Sequence, residues 1–456
     1  MDRAVNQKTA LLVTTAGSFV TPFMASSVNI ALPSIGREFS MDAVLLSWVS
    51  SSYLLAAAMF LVPFGRIADL YGRKKIFTYG IMIYTLSSFL TGISTSALTL
   101  ISFRVLQGIG GSMIFGTGVA ILTSVFPEGE RGKALGINVA SVYLGLSLGP
   151  FMGGFLTEHI GWRSIFLVHV PMGLIILGSI FWKLPGEWAE AKGEKFDLFG
   201  SLLYCLTLVA IMYGFALLPR EAGAAFILIG GLGFWAFIRR EIKMKSPVLD
   251  IHLFRHNRVF AFSNLAALIN YSATFGVGFL LSLYLQYLKG YNPLHAGSIL
   301  VAQPATQAIF SPFAGRLSDK IEPRIVASMG MGFTVAGLSL LTFLNERISL
   351  GFILTSLVLL GFGFALFSSP NTNAVMSSVE KRFYGVASGT MATMRLVGQM
   401  LSMGIVTLLF AVYIGRVPIT QASHPLFLGS ARAAFYIFAA LCFGGIFASL
   451  ARGKVR

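Results

Sequence analysis

Arg104 and Arg395 each stand inside an otherwise apolar stretch of this chain. An ionised side chain at mid-bilayer costs at least roughly 2.5–3.5 kcal/mol, so it faces a protein interior or water and marks a pathway. Gln107 and Gly108 follow Arg104 by three and four residues and share its helix face. The competing reading of Arg104 is a structural group bonded to nearby carbonyls. Arg395 has Gln399 one turn on, and it reads either as a pathway residue or as one that snorkels to a membrane surface. Uncharged polar residues join them. Asn29 has Ser26 one turn before it, Asn270 shares a face with Thr274, and Gln303 shares one with Gln307, beside Pro304 and Pro312. Among 40 Phe and 17 Met these groups describe a broad amphipathic cavity, because aromatic and thioether walls adapt to varied apolar ligands. His169 reads either as a wet imidazole that carries a proton near neutral pH or as a neutral packing residue.

The elements that must position these residues follow from composition. The chain has 456 residues, of which 55% are hydrophobic and 11% charged. Soluble domains carry roughly 25% charged residues. Mean hydropathy is +0.77. These values predict an all-α polytopic membrane protein and exclude a disordered, collagen-like or disulfide-scaffold chain. Cys205 and Cys442 lie far apart in apolar runs and read as small core residues, with no disulfide or metal site. The first apolar run, about residues 9–33, is too long for the core of a cleaved leader.

A span needs roughly 20 mostly apolar residues. Fourteen segments qualify: 9–33, 44–65, 76–96, 99–126, 134–158, 162–183, 198–218, 222–238, 259–288, 294–315, 325–343, 348–371, 386–414 and 430–451. An even number puts both termini on one side. That side then carries 25 of the 34 Lys and Arg, the other side seven, and the spans two. The excess predicts cytoplasmic termini, and it accounts for the net charge of +16 without nucleic acid. The polar stretches 184–197 and 239–258 read as solvated surface without chemistry.

Gly65-Arg66-Ile67-Ala68-Asp69 follows the second span and Gly315-Arg316-Leu317-Ser318-Asp319 follows the tenth, 250 residues later. Equivalent places for one pattern predict an internal repeat, parsed as six spans (1–183), two extra spans (184–258) and six spans (259–456). Gly65, Gly72 and Gly315 would let the chain turn tightly between helix ends. Asp69 would cap the next helix or pair with an arginine, and Arg73 would face the anionic leaflet. Gly145, Gly149 and Gly153 recur every four residues, beside Pro150, and make a smooth, bendable helix face for gating or for static packing.

The loop at Gly65–Lys75 resembles the loop between spans two and three of the major facilitator superfamily. Arg104-x-x-Gln107-Gly108-x-Gly110 resembles its second motif, and Gly145-x-x-x-Gly149-Pro150-x-x-Gly153-Gly154 resembles the motif of its antiporters. Trp162–Phe166, Val170–Gly173, Val28–Pro33 and Tyr284–Gln286 are similar to its fourteen-span drug–proton antiporter branch, the EmrB/QacA type. The resemblance implies a major facilitator fold with helices in a 6 + 2 + 6 arrangement, in a plasma membrane. It also implies that Arg104 belongs to the proton-coupling and gating machinery.

The chain departs from that pattern in one respect. All 18 Asp and Glu fall in loops or at span ends, and Met24 stands where the branch often has Asp. Coupling would then move to Glu158, at the end of the fifth span, or to His169, where the family usually has Asn. Without a titrating carboxylate in the cavity, neutral or anionic amphipaths are favoured over cations. The expected function is proton-driven export of amphipathic small molecules by alternating access. The alternatives are uptake of an anionic metabolite through the span arginines, and a sensor or partner that transports nothing. No enzyme motif and no cofactor site is legible.

Overall fold

Backbone polar groups inside a bilayer must be satisfied within the chain, which favours helices. The computed structural model follows that rule, with no strand among the described residues, which are 7–244, 251–380 and 384–453. The side chains of residues 128, 129, 251, 252 and 319 lie outside that description. The first helices are α1 (Gln7–Glu38), α2 (Ala43–Tyr71), α3 (Arg73–Gly92), α4 (Ala97–Val125), α5 (Glu128–His159), α6 (Arg163–Leu167) and α7 (His169–Lys183). A pair follows, α8 (Leu198–Leu217) and α9 (Glu221–Glu241), then the short α10 (Ile251–His256). The remainder are α11 (Arg258–Leu283), α12 (Pro293–Leu300), α13 (Ala302–Lys320), α14 (Pro323–Leu341), α15 (Leu350–Ser377), α16 (Tyr384–Tyr413) and α17 (His424–Ala451).

Local chemistry sets the starts of several helices. Asp42 caps α2 by accepting from Leu45 N at 2.7 Å, and Asn292 caps α12 by accepting from His295 N at 2.8 Å. Ser96 and Thr99 form a reciprocal capping box on α4. α11 ends in a π-helical turn over Tyr284–Leu288.

Twelve helices among the described residues are long and apolar enough to cross a membrane. That is two fewer than the fourteen spans expected. The expected third span is α3, which opens on Arg73-Lys74-Lys75 and is rich in Ser and Thr. The expected tenth span is broken between α12 and α13, and α13 carries Gln303, Gln307 and two prolines. Both are too polar or too interrupted to meet the same standard, yet both pack among the others: α3 against α4 and α7, and α13 against α15 and α5.

Contacts sort the helices into two sets. In the first, α1 packs on α5 and α4 packs on both α2 and α3. In the second, α11 packs on α16 and α17, and α15 packs on α13 and α14. α8 lies along the seam, against α2 and α16. Tyr204 of α8 donates to the Ala58 carbonyl at 3.1 Å, and Phe215 fills the space above Gly404.

Asp197 ties the α8–α9 pair together. Its carboxylate caps α8 through Gly200 N at 2.9 Å and accepts from Arg240 Nη2 at 2.8 Å. The Arg240 guanidinium holds this carboxyl below the usual carboxylate range. A lowered folded value contributes stability above the unfolded value of about 3.9 and loses it as pH falls further. Asp197→Asn is therefore expected to unfold at a lower temperature than wild type at pH 7. The gap should close below about pH 4. A thermal-unfolding series against pH checks this.

Candidate functional site

The chain threads back and forth, so the starts of α1, α5, α11 and α16 share one face with the ends of α4, α13, α15 and α17. This is called the terminal face here, and Arg258 Nε marks it by donating to the Ala451 carbonyl at 2.8 Å. A cavity of about 1020 Å³ lies between the two helix sets. Its walls come from α1, α4 and α5 on one side and from α11, α13, α15 and α16 on the other. The wall residues reach the terminal-face ends of α15 and α16, at Asn373 and Gly385, and stop in the opposite direction near Ile30, Pro150, Gly278 and Leu300.

Past those residues the two sets touch. Ser282 Oγ donates to the Asn29 carbonyl at 2.6 Å, and Gln286 Nε2 to the Ile30 carbonyl at 3.0 Å. Ser47 and Thr407 hydroxyls meet at 2.8 Å, and Ala43 N donates to the Val417 carbonyl at 3.1 Å. A Cβ on Gly154 would stand 2.5 Å from the Pro293 carbonyl oxygen, and one on Gly297 would overlap the Pro150 carbonyl oxygen. Glycine is required at both because backbone meets backbone. The cavity is thus open toward the terminal face and sealed toward the other.

Four of the expected cavity residues line this space: Asn29, Gln303, Gln307 and Arg395. Two do not. Asn270 is fully buried with its amide nitrogen 4.0 Å from Cys442 Sγ, and only Thr274 of that pair reaches the wall. His169 is fully buried beside Phe23 and Tyr84, with Nδ1 on the Ile165 carbonyl at 2.7 Å and the ring against the Val20 backbone. Glu158 is exposed, one residue before the end of α5. The wall is aromatic, with Phe115, Phe275, Phe364, Phe367, Tyr143 and Tyr271, but it has one Met, Met391. Other methionines, such as Met400, Met403 and Met331, fill the core. A hydrogen bond between Tyr143 and Ser368 at 2.9 Å crosses between the sets. Nothing in the sequence pattern pairs these two residues.

Arg104 is also absent from the wall and is 1% exposed. Its Nε donates to the Val49 carbonyl of α2 at 3.0 Å, its Nη1 donates to Gln107, and its guanidinium lies 4.5 Å from the centre of the Tyr53 ring. Gln107 passes the link on to Ser88 of α3 at 2.6 Å. A Cβ on Gly108 would overlap the Tyr53 carbonyl oxygen, so this glycine lets α4 close on α2. Gly145, Gly149 and Gly153 pack against Phe19, Phe23, Ser26 and Ser27 of α1, inside one helix set. On α5 the close backbone contact with the other set comes from Pro150 and Gly154, on the neighbouring face.

The two Gly-Arg-x-x-Asp segments are helical. Gly65 lies inside α2 and Gly315 inside α13, and the chain turns at Gly72, where φ is +123°. The expected turns at Gly65 and Gly315 are corrected by helices that continue past the apolar segment. The Asp319 side chain lies outside the described residues. Asp69 does not cap α3. It accepts from Arg73 Nε at 2.8 Å, one helical turn away.

Arg73 does not face solvent, being 6% exposed. It also donates to Ser124 at 2.6 Å and takes Glu190 with both guanidinium nitrogens, at 2.6 and 2.9 Å. Glu187 accepts from Lys74 N and Lys75 N at 2.8 and 3.1 Å and so serves as the α3 cap. Glu194 reaches Arg66 at 2.6 Å. The 184–197 stretch is thus an acidic strap over the hairpin. Its spacing of Glu187, Glu190 and Glu194 against Arg66 and Arg73 was the available signal. Glu190 is 65% exposed, so solvent screens its pair. Arg73→Ala is expected to open the strap about tenfold more often, as loss of roughly 1.4 kcal/mol would. Faster trypsin cleavage at Lys192 and Lys195 reads this, and unchanged cleavage would detach the strap from Arg73.

Comparison with known proteins gives a consistent picture. A family model described as "Major Facilitator Superfamily" matches residues 14–403 and, separately, 263–454. The chain is 30% identical over 443 residues to the riboflavin transporter RibZ of Clostridioides difficile, covering 96% of this chain and 95% of that one. It is 31% identical over 414 residues to the multidrug resistance protein Stp of Mycobacterium tuberculosis, covering 90% and 76%. Among solved structures it is similar to a bacterial homologue of the human lysosomal transporter Spinster, in an inward-facing, unoccupied conformation. There the TM-score is 0.67 and the identity 18%, over 98% of this chain and 97% of that one.

Proposed function

This chain belongs to the Major Facilitator Superfamily, and we propose that it exports amphipathic small molecules by alternating access, driven by protons. Family and relatives make it a multi-pass membrane transporter of small molecules and not an enzyme. The observation that carries the transport reading is the aromatic cavity, open on one face and sealed on the other by close backbone contacts. Alternating access needs such a state and its mirror. The relatives add to it. The export direction rests on the relative named for multidrug resistance; the one named a riboflavin transporter supports small-molecule transport alone.

The finer assignment is to the fourteen-span EmrB/QacA branch. α3 and the α12–α13 pair would complete fourteen crossings, divided at 183/184 and 258/259. The terminal face would be cytoplasmic, in a plasma membrane. His169 and Glu158 are the proposed proton sites. Glu158 stands in the open, and His169 lies fully buried beside Phe23 and Tyr84. The Asp69–Arg73 hairpin, with Gly65, Gly72, Gly315 and Asp319, is the proposed gating region.

A susceptibility panel in a host stripped of its own pumps tests this reading. Expression should raise tolerance to aromatic amphipaths, and a protonophore should abolish the gain. Accumulation of the compounds, or flux indifferent to the protonophore, would contradict export or its coupling respectively.

A further inference from the structure

The cavity wall holds one charged side chain among the described residues, Arg395. Its guanidinium carbon lies 5.8 Å from the Phe115 ring centre and 5.8 Å from that of Tyr271. Phe115 belongs to α4 and Tyr271 to α11, so the two rings flank the cation from opposite helix sets. Arg395 makes no ion pair and no hydrogen bond among the described residues, and it is half-buried. The other deeply placed arginines are bonded to protein groups, although Arg452 Nε also lacks a partner. Arg104 bonds Val49 and Gln107, and Arg452 bonds Ser263, Asn371, Pro323 and Ser449.

A second wall residue points the same way. Gln307 is 5% exposed; its amide lies against the Tyr143 hydroxyl, and with two N–H groups on the amide nitrogen at least one is unspent. Most other polar wall groups are satisfied internally: Asn371 by Ser263 and Arg452, Asn373 by Ser318, and Asn138 by Ser18. The cavity therefore presents unspent donors, one of them a cation, within aromatic walls. A guanidinium has five N–H donors in a fork that matches a carboxylate or sulfonate.

We propose that Arg395 is the anion-recognising residue of the cavity, and that the preferred cargo is an aromatic amphipath bearing a carboxylate or sulfonate. This rests on the transport reading of the same cavity. The rings of Phe115 and Tyr271 keep the guanidinium facing the space between the helix sets, and Gln307 supplies a further donor to the same acceptor-rich group.

Two probes with one skeleton test the proposal. 1-Anilinonaphthalene-8-sulfonate carries the anion, and N-phenyl-1-naphthylamine lacks it. Binding is measured by equilibrium dialysis on full-length protein in phosphatidylcholine nanodiscs, with empty discs subtracted. Wild type should hold the sulfonate at least about tenfold more tightly than the neutral probe. Arg395→Gln should remove that preference and leave neutral-probe binding within about twofold, while Arg395→Lys keeps part of it. Equal affinity of wild type for both probes would overturn the proposal. So would a parallel loss of both in Arg395→Gln with an unaltered elution profile. Phosphatidylglycerol discs separate the other source of anion. If that lipid cancels the sulfonate preference, Arg395 serves headgroups and the proposal fails. Flux in proteoliposomes is scored separately, so absent transport with intact sulfonate preference would sink only the export reading.

Discussion

Replacing Arg104 with Ala is expected to reduce transport to background while the protein still inserts and elutes as a single species. Arg104 joins α4 to α2 at the Val49 carbonyl, and through Gln107 to Ser88 of α3. Val49 lies two residues from Ser47, whose hydroxyl meets Thr407 in the seal between helix sets. The arginine thus holds the end of α2 that carries the seal. Hydrogen bonds to charged groups are worth roughly 1.5–3 kcal/mol each, so losing the one to Val49 shifts the seating of α2 by about tenfold or more, and losing the one to Gln107 loosens the link to α3 as well. Arg104→Lys keeps the charge but not the fork, and it should recover less than about a tenth of wild-type flux. The readout is flux per inserted molecule. Wild-type flux in Arg104→Ala would remove the residue from the gate and leave it a packing group.

Gly297→Val is expected to trap the seal open. Any side chain at Gly297 overlaps the Pro150 carbonyl, where α12 lies on α5. Overpacking of this kind costs about 1–3 kcal/mol when the structure gives way. Here the easiest relief is to part the helix sets, because the clash lies on their boundary. Transport should fall by about tenfold or more. A cysteine at Ser282, fully buried under the seal, should become reactive to an impermeant maleimide from the sealed face. Gly332→Ala is the control, since nothing lies within 4 Å of a Cβ there. An active Gly297→Val with an unreactive Ser282→Cys would mean that α5 and α12 need not fit closely.

Much of the helical layout was legible because apolar length and capping residues are local signals. Asp42, Ser96, Asn257 and Asn292 each cap a helix start in the structure, and residues of these types are signals available in the sequence. Helix ends beyond the apolar stretch were not. α2 runs through Gly65 to Tyr71, because a glycine outside the bilayer still accepts helical angles when its neighbours continue. Facing direction was the harder problem. Asn270 and Thr274 share a helix side by spacing, yet a small rotation sends Asn270 toward Cys442 and leaves only Thr274 on the wall. The same offset separates Gly153, packed on Ser27 of α1, from Gly154, packed on Pro293 of α12. Pairings remote in sequence, Tyr143 with Ser368 and Arg73 with Glu190, have no periodic signature at all. Charge complementarity alone could have suggested the second.

Alternating access, as proposed, has the two helix sets open on one face as they close on the other. Spin labels at Lys133 and Arg316 would report the terminal-face mouth, and labels at His159 and His295 the sealed seam. All four positions are exposed, and both native cysteines are buried. Pulsed dipolar distances taken with and without a transported compound should move in opposite senses: the first pair shortens as the second lengthens. Two distances that stay fixed, or that lengthen together, would contradict the account.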